Sequence, residues 1–266
     1  MSEILAKTII TKSKIPNVGY CFNPYIGCTH GCVYCYARFM GRFTGNVGKK
    51  WGHYLDWKVN APELLEKELI KIKKEGGIVL LGSVTDCYLS VENKLQITRK
   101  SLEVFLKHQI PISILTKSKL VARDLDLLSQ FEYCELGMSI SVLDEKVSSA
   151  LEPLASSPAD RISVLKQASN LKLQTYAFLG PLHPDLSDLD LLFQNISPFS
   201  RFVMGEIPNL RCGNWGELAK TLKELGVDPD EYKKKASSDE FFLLSKKKLE
   251  SLCQRSNVEF KGMYRH

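Results

Sequence analysis

Three thiols lie within eight residues in Cys28-Thr29-His30-Gly31-Cys32-Val33-Tyr34-Cys35, spaced by three intervening residues and then by two. Thiolates packed this closely on one loop can surround a single metal centre. An iron–sulfur cluster takes cysteine ligands, whereas a structural zinc ion needs four donors. A [4Fe-4S] cluster held by three cysteines leaves one iron open for another ligand. Zinc would need a fourth donor such as His30, which sits inside the loop next to Gly31 and would have to strain to reach the same ion. The other five cysteines, Cys21, Cys87, Cys134, Cys212 and Cys253, are scattered singly without ligand spacing. A redox-sensing or zinc-binding module remains the alternative to cluster chemistry.

Short runs of Val, Ile and Leu alternate with stretches of helical period, the pattern of parallel strands joined by crossover helices. Strands are expected at Tyr20 to Ile26, Ile78 to Leu81, Ile112 to Leu115, Leu136 to Ile140, Leu173 to Leu179 and Arg201 to Met204. Helices are expected at Pro62 to Glu75, Leu95 to Lys107, Leu120 to Gln130, Arg161 to Asn170 and Leu186 to Gln194. The fold class is therefore α/β, a six-fold βα series able to close part of a TIM-like barrel, with ligands gathered at the C-terminal ends of the strands. Beyond Asn214 the alternation stops. Two helices, around Trp215 to Leu225 and Phe242 to Arg255, are expected there. The division is a core over residues 1–213 and a helical C-terminal extension over 214–266 packed on it.

The chain has 266 residues, with 36 Lys plus Arg against 30 Asp plus Glu, a mild positive surplus that permits an anionic partner without requiring one. Its composition excludes disorder and collagen. No apolar stretch approaches the roughly 20 residues a membrane helix needs, and the first fourteen residues carry no signal-like apolar run. A cytoplasmic protein with no membrane partner is the expectation.

The Cys-x3-Cys-x2-Cys spacing with an aromatic residue before the last cysteine resembles the signature of the radical S-adenosylmethionine (SAM) superfamily. Asn23-Pro24-Tyr25-Ile26-Gly27-Cys28 and Tyr36-Ala37-Arg38 are similar to its branch related to spore photoproduct lyase. So, in order, are Gly82-Ser83-Val84-Thr85-Asp86, Thr98-Arg99, Leu115-Thr116-Lys117-Ser118, Arg123-Asp124, Leu151-Glu152-Pro153 and Arg161. The resemblance implies a six-stranded partial barrel, a [4Fe-4S] cluster on Cys28, Cys32 and Cys35, and SAM bound to the open iron. One electron passed into the sulfonium would release a 5′-deoxyadenosyl radical. It also implies an electron donor such as flavodoxin or ferredoxin. The substrate is left open between a nucleic-acid base or lesion and a peptide or small metabolite.

The same resemblance assigns Tyr34, Tyr36, Thr85, Asp86, Lys117, Ser139 and Arg161 to SAM. Each also has a plainer role: aromatic packing for the tyrosines, a turn or cap for Thr85 and Asp86, a solvated loop for Lys117, an ion pair with Glu152 for Arg161. Ser141 lies close enough to exchange roles with Ser139. The lyase carries a hydrogen-donating cysteine where this chain has Ser83. Cys87, four residues farther on, is the candidate for that catalytic role or else a buried small hydrophobe. His183, Glu206 and Asn209 follow the fifth and sixth strands and could line the substrate side, while His53 and Trp57 are candidates for a lid.

Overall fold

Strands buried on both faces carry Val, Ile and Leu almost without interruption, and such runs place the core of this chain. The computed structural model describes residues 1–265. In chain order the strands are β1 (Ser2–Ile4), β2 (Ile10–Lys12), β3 (Tyr20–Phe22), β4 (Tyr25–Ile26), β5 (Asp56–Lys58), β6 (Val79–Leu81), β7 (Ile112–Thr116), β8 (Cys134–Ser139), β9 (Gln174–Leu179), β10 (Phe202–Glu206) and β11 (Glu259–Tyr264). The helices are α1 (Ala61–Glu75), α2 (Glu92–Leu95), α3 (Ile97–Lys107), α4 (Leu125–Leu128), α5 (Glu145–Leu151), α6 (Pro158–Asn170), α7 (Leu189–Ile196), α8 (Trp215–Glu224), α9 (Pro229–Ala236) and α10 (Asp239–Ser256). The main sheet runs β11-β10-β9-β8-β7-β6-β3-β2. All its pairings are parallel except β2 with β3.

The six expected strands appear in sequence order, and the first departs from the expectation in an instructive way. Its run breaks at Asn23-Pro24: Tyr20–Phe22 joins the main sheet, while Tyr25–Ile26 pairs with β5 in a separate sheet of order β1-β5-β4. Pro24 has no N–H to give a ladder. Asn23 replaces the lost bonds with its side chain, accepting from Val84 N at 3.2 Å and donating to Ser83 Oγ at 3.0 Å. The chain thus leaves the sheet just before the cysteine loop.

Helix ends follow local chemistry. Ser157 caps α6 by accepting from Asp160 N, with Pro158 in its first turn, and Asp188 caps α7 in the same manner. The helix expected at Leu95 to Lys107 is interrupted at Gln96, which takes φ +52° between α2 and α3. The one expected at Leu120 to Gln130 is a 3-10 turn over Lys119–Asp124 followed by α4. Here buried polar groups override helical period. Glu92, 0% exposed, accepts from Tyr25 Oη, from Thr98 N at 3.1 Å and from Arg123 Nη2 at 3.2 Å. Asp124, equally buried, accepts from Arg99 and Arg123 at 2.8 Å each. The Thr98-Arg99 and Arg123-Asp124 motifs therefore belong to the scaffold.

The C-terminal segment contains the two expected helices, a third between them (α9), and an edge strand, β11, parallel to β10. Asp228 and Pro229 begin α9 as cap and first-turn residue. Leu218, Leu222, Tyr232 and Ala236 of α8 and α9 pack in one buried cluster with Cys32, Val33, Tyr34, Val142 and Leu151. The end of the chain thus forms the wall behind the cysteine loop. Among the described residues no helix is long and apolar enough to cross a membrane. Leu222→Ala, at a site 0% exposed, should lower the free energy of unfolding by about 2–5 kcal/mol in urea titration, the range for a buried leucine truncated to alanine.

Candidate active site

Where β6 to β10 end, their last residues and following loops converge on the cysteine loop. One cavity is lined by Cys28, His30, Cys32, Tyr34, Cys35 and Tyr36 of that loop. Its other walls are Gly82 to Asp86 after β6, Leu115 to Lys117 at the end of β7, Ser139 ending β8, Phe178, Gly180 and Pro181 around the end of β9, and Glu206 and Asn209 at and after the end of β10. Ala37 and Trp51 complete it. Two glycines make the approach. Gly27 has φ +86°, and a Cβ there would stand 2.3 Å from Tyr54 O; Gly82 has φ +89° beside Thr85 O. A side chain at Gly27 would collide with Tyr54, and one at Gly82 would crowd the turn through Thr85.

All eight cysteines are free thiols. Burial pushes the Cys28 and Cys32 thiols well up, and Cys35 up to about 11, so all three are protonated at neutral pH and a metal must displace those protons to bind. Among the described residues no three His, Cys, Asp or Glu side chains are grouped tightly enough to hold one metal ion. His30 is not a spare zinc donor. Its Nδ1 donates to Leu154 O at 3.0 Å, and its Nε2 stands 3.1 Å from Asp86 Oδ2, off the line of a hydrogen bond.

Asp86 is a brace between loops. It accepts from Thr116 Oγ1 at 2.7 Å, Lys117 N at 2.9 Å and Tyr88 N at 2.8 Å. Burial works to raise its pKa, but the His30 charge and the backbone donors prevail and hold it at about 2. Thr85 Oγ1 donates to Gly27 O at 2.5 Å. Both residues line the cavity while their polar atoms serve the scaffold, so the turn-and-brace role describes them better than direct capture of a ligand.

Glu152 organises the opposite wall. Its side chain is 0% exposed and receives Tyr34 Oη, Ser141 Oγ at 3.2 Å and Arg161 Nη2, with Lys117 Nζ at 3.8 Å. Burial pushes the carboxyl up, but the charges of Arg161 and Lys117 outweigh it and hold the group at about 2. Arg161 spends its remaining donors on Ser139 O and Ser156 O, both at 2.8 Å. It does not line the cavity, which leaves it the ion-pair role rather than the ligand clamp. Lys117 differs: its Nζ reaches Ser139 Oγ at 2.5 Å and faces the cavity with donors to spare. One buried carboxylate against two cations leaves a surplus positive charge there.

Cys87 does not reach this cavity. The bond from Tyr88 N to Asp86 turns the chain, Cys87 O accepts from Thr98 Oγ1 at 2.7 Å, and the side chain lies 1% exposed in the main core, so the expected catalytic role has no access to a ligand. His183 is also absent from the lining, paired through Nδ1 with Tyr232 Oη at 2.5 Å. Trp57 lies in β5 and so is no lid, while Trp51, unremarked in the sequence, is on the wall. Glu152 and Asn214 were also missed as site residues. Asn214 donates to Tyr34 O at 2.6 Å and Asn209 O at 2.9 Å, a tie that no local spacing signals.

Comparison with known proteins identifies the family and the fold. The profile of the radical SAM superfamily matches residues 22–192. A protein of Methanocaldococcus jannaschii is 38% identical over 210 residues, covering 79% of this chain and 78% of that one. A radical SAM Nα-GlyT isomerase of Pseudomonas phage M6 is 25% identical over 178 residues, 65% of this chain and 36% of that one. Among solved structures, a spore photoproduct lyase variant with bound AdoMet and dinucleoside spore photoproduct superposes with a TM-score of 0.75 at 14% identity, covering 100% of this chain and 82% of that chain. That likeness is one of fold.

Arg161→Ala should leave Glu152 buried and uncompensated, lowering stability by about 3–5 kcal/mol in denaturant titration. Because the Glu152 carboxyl titrates lower when folded than when unfolded, its contribution is complete above about pH 4.5 and is withdrawn as pH falls toward 2. Midpoints of unfolding should decline through that acid window, and Glu152→Gln should flatten the decline.

Proposed function

The chain belongs to the radical SAM superfamily and is an enzyme of that type, and we propose that Cys28, Cys32 and Cys35 hold a [4Fe-4S] cluster whose open iron takes SAM in the cavity at the strand ends. The observation that carries this reading is one cavity shared by three free thiols, Cys28 and Cys32 buried and Cys35 half-buried, and by the Lys117 ammonium. A cluster held by Cys28, Cys32 and Cys35, with SAM beside it, would supply one-electron reduction of the sulfonium and hence the means of abstracting a hydrogen atom from the substrate.

The chain's own residues bind, orient and exclude water. Lys117 meets the SAM carboxylate as a point charge, aimed by Ser139, whose hydroxyl donates to Gly180 O at 3.1 Å. Tyr34, fixed by Glu152, and Tyr36, whose hydroxyl donates to Ser83 O, flank the adenosine. Thr85 and Asp86 set the distance between the cysteine loop and the ends of β6 and β7. Cofactor chemistry supplies the difficult step, so precise placement is what the fold contributes.

Phe178, Pro181, Glu206 and Asn209 form the wall away from the cysteine loop and are assigned to the substrate. A nucleic-acid base is the preferred substrate class, supported by the likeness to a lyase structure that holds a dinucleoside. Such a base would have to leave its stack to enter.

Anaerobically reconstituted protein should be brown, absorb at about 400 nm and hold roughly four irons per chain; zinc in a colourless protein would overturn the assignment. Cys32→Ala should remove both the absorption and SAM cleavage. Lys117→Ala should keep the absorption but weaken SAM binding roughly ten- to a hundredfold, the weight of a charge-assisted hydrogen bond; unchanged affinity would take Lys117 out of the site.

A further inference from the structure

We propose that the surface formed by residues 36–53 is the docking face for a small acidic electron-carrier protein. The proposal rests on the cluster assignment above, because a cluster that gives up one electron must be re-reduced. It also rests on the outer side of that segment, beyond Tyr36, Ala37 and Trp51, which line the cavity.

Tyr36–Phe43 is a 3-10 helix that begins directly after Cys35, the least buried of the three thiols. Side chains three apart eclipse in such a helix, so Tyr36, Phe39 and Arg42 form one row from the cavity rim toward solvent. Phe43 packs edge-on against Phe39 with ring centroids 6.3 Å apart. Phe43 and Val47 are 75% and 74% exposed, an apolar area on the outer side of the segment that carries Cys35. Exposed apolar groups concentrated on one segment mark an interaction surface.

The charge of this face is one-sided. Residues 36–53 contain Arg38, Arg42, Lys49 and Lys50 and no Asp or Glu. Glu217 of α8 takes Arg38 and lies 3.7 Å from Lys50, while Arg42 and Lys49 have no ion pair among the described residues. An acidic carrier is steered by such a field. The alternative occupant, a nucleic-acid strand, is less well served. Two unpaired cations neutralise few phosphates. Redox encounters are brief and small, so a limited patch suffices. In the step itself one electron leaves the carrier's reduced centre and enters the cluster. The carrier is oxidised by one electron, the cluster is reduced by one, and no atom is transferred.

The experiment pairs Arg42→Glu/Lys49→Glu with Phe43→Ser and uses bacterial flavodoxin as the carrier. Calorimetry reads the affinity of oxidised flavodoxin for the reconstituted protein, and 5′-deoxyadenosine formation is driven by flavodoxin or by dithionite. Both variants should bind flavodoxin at least about tenfold more weakly and lose its rate by a similar factor, with the dithionite-driven rate unchanged. The wild-type affinity should collapse in about 0.5 M salt. Equal flavodoxin binding by wild type and variants, or no binding by wild type, overturns the proposal. So does a loss confined to single-stranded oligonucleotide binding, which would assign the face to nucleic acid. If wild type makes no 5′-deoxyadenosine with dithionite, the proposed function fails, and the binding measurement still judges the docking face by itself.

Discussion

A carboxylate stripped of water in a protein interior survives as an anion only if cations and donors surround it, and the site depends on such a group, Glu152. Arg161 neutralises it, Tyr34 and Ser141 donate to it, and Lys117 stands just beyond. These partners come from the cysteine loop and from the ends or connections of β7, β8 and α6. One buried anion therefore fixes how far the cysteine loop stands from the strand ends. Asp86 does the same on the other wall with His30, Thr116 and Lys117 N. Between these two carboxylates the Lys117 ammonium faces the cavity.

What the sequence made legible was local. The cysteine triplet, the six βα repeats and Lys117 and Ser139 at strand ends are all written in spacing and period. What stayed hidden depends on contacts between residues far apart in the chain. The run Tyr20 to Ile26 has strand composition throughout, but Pro24 ends the ladder and Asn23 replaces it with side-chain bonds to Ser83 and Val84. Cys87 looked near the cavity because it is near Asp86 in sequence. One turn bond to Asp86 reverses its direction.

The family-like motifs also divide in a way that spacing cannot reveal. Thr98-Arg99 and Arg123-Asp124 look as polar as the cavity residues, but their partners are Glu92, Asp124 and Asp126. They hold α3 and α4 beneath the strand ends. Arg161 belongs to the same class: its guanidinium is 1% exposed, lies outside the cavity lining and bonds to protein through all three nitrogens. Burial and the count of occupied donors separate supporting from working polar residues, and neither quantity is visible in a one-dimensional string.

The wall that α8 and α9 raise behind Cys32, Val33 and Tyr34 has a consequence for how the molecule is made. The thiols precede that cover by roughly 180 residues, or about 10–40 s at ordinary rates of synthesis. Throughout that interval the nascent loop lacks its apolar backing on one side. Closure of that side waits on the translation of α8 and α9.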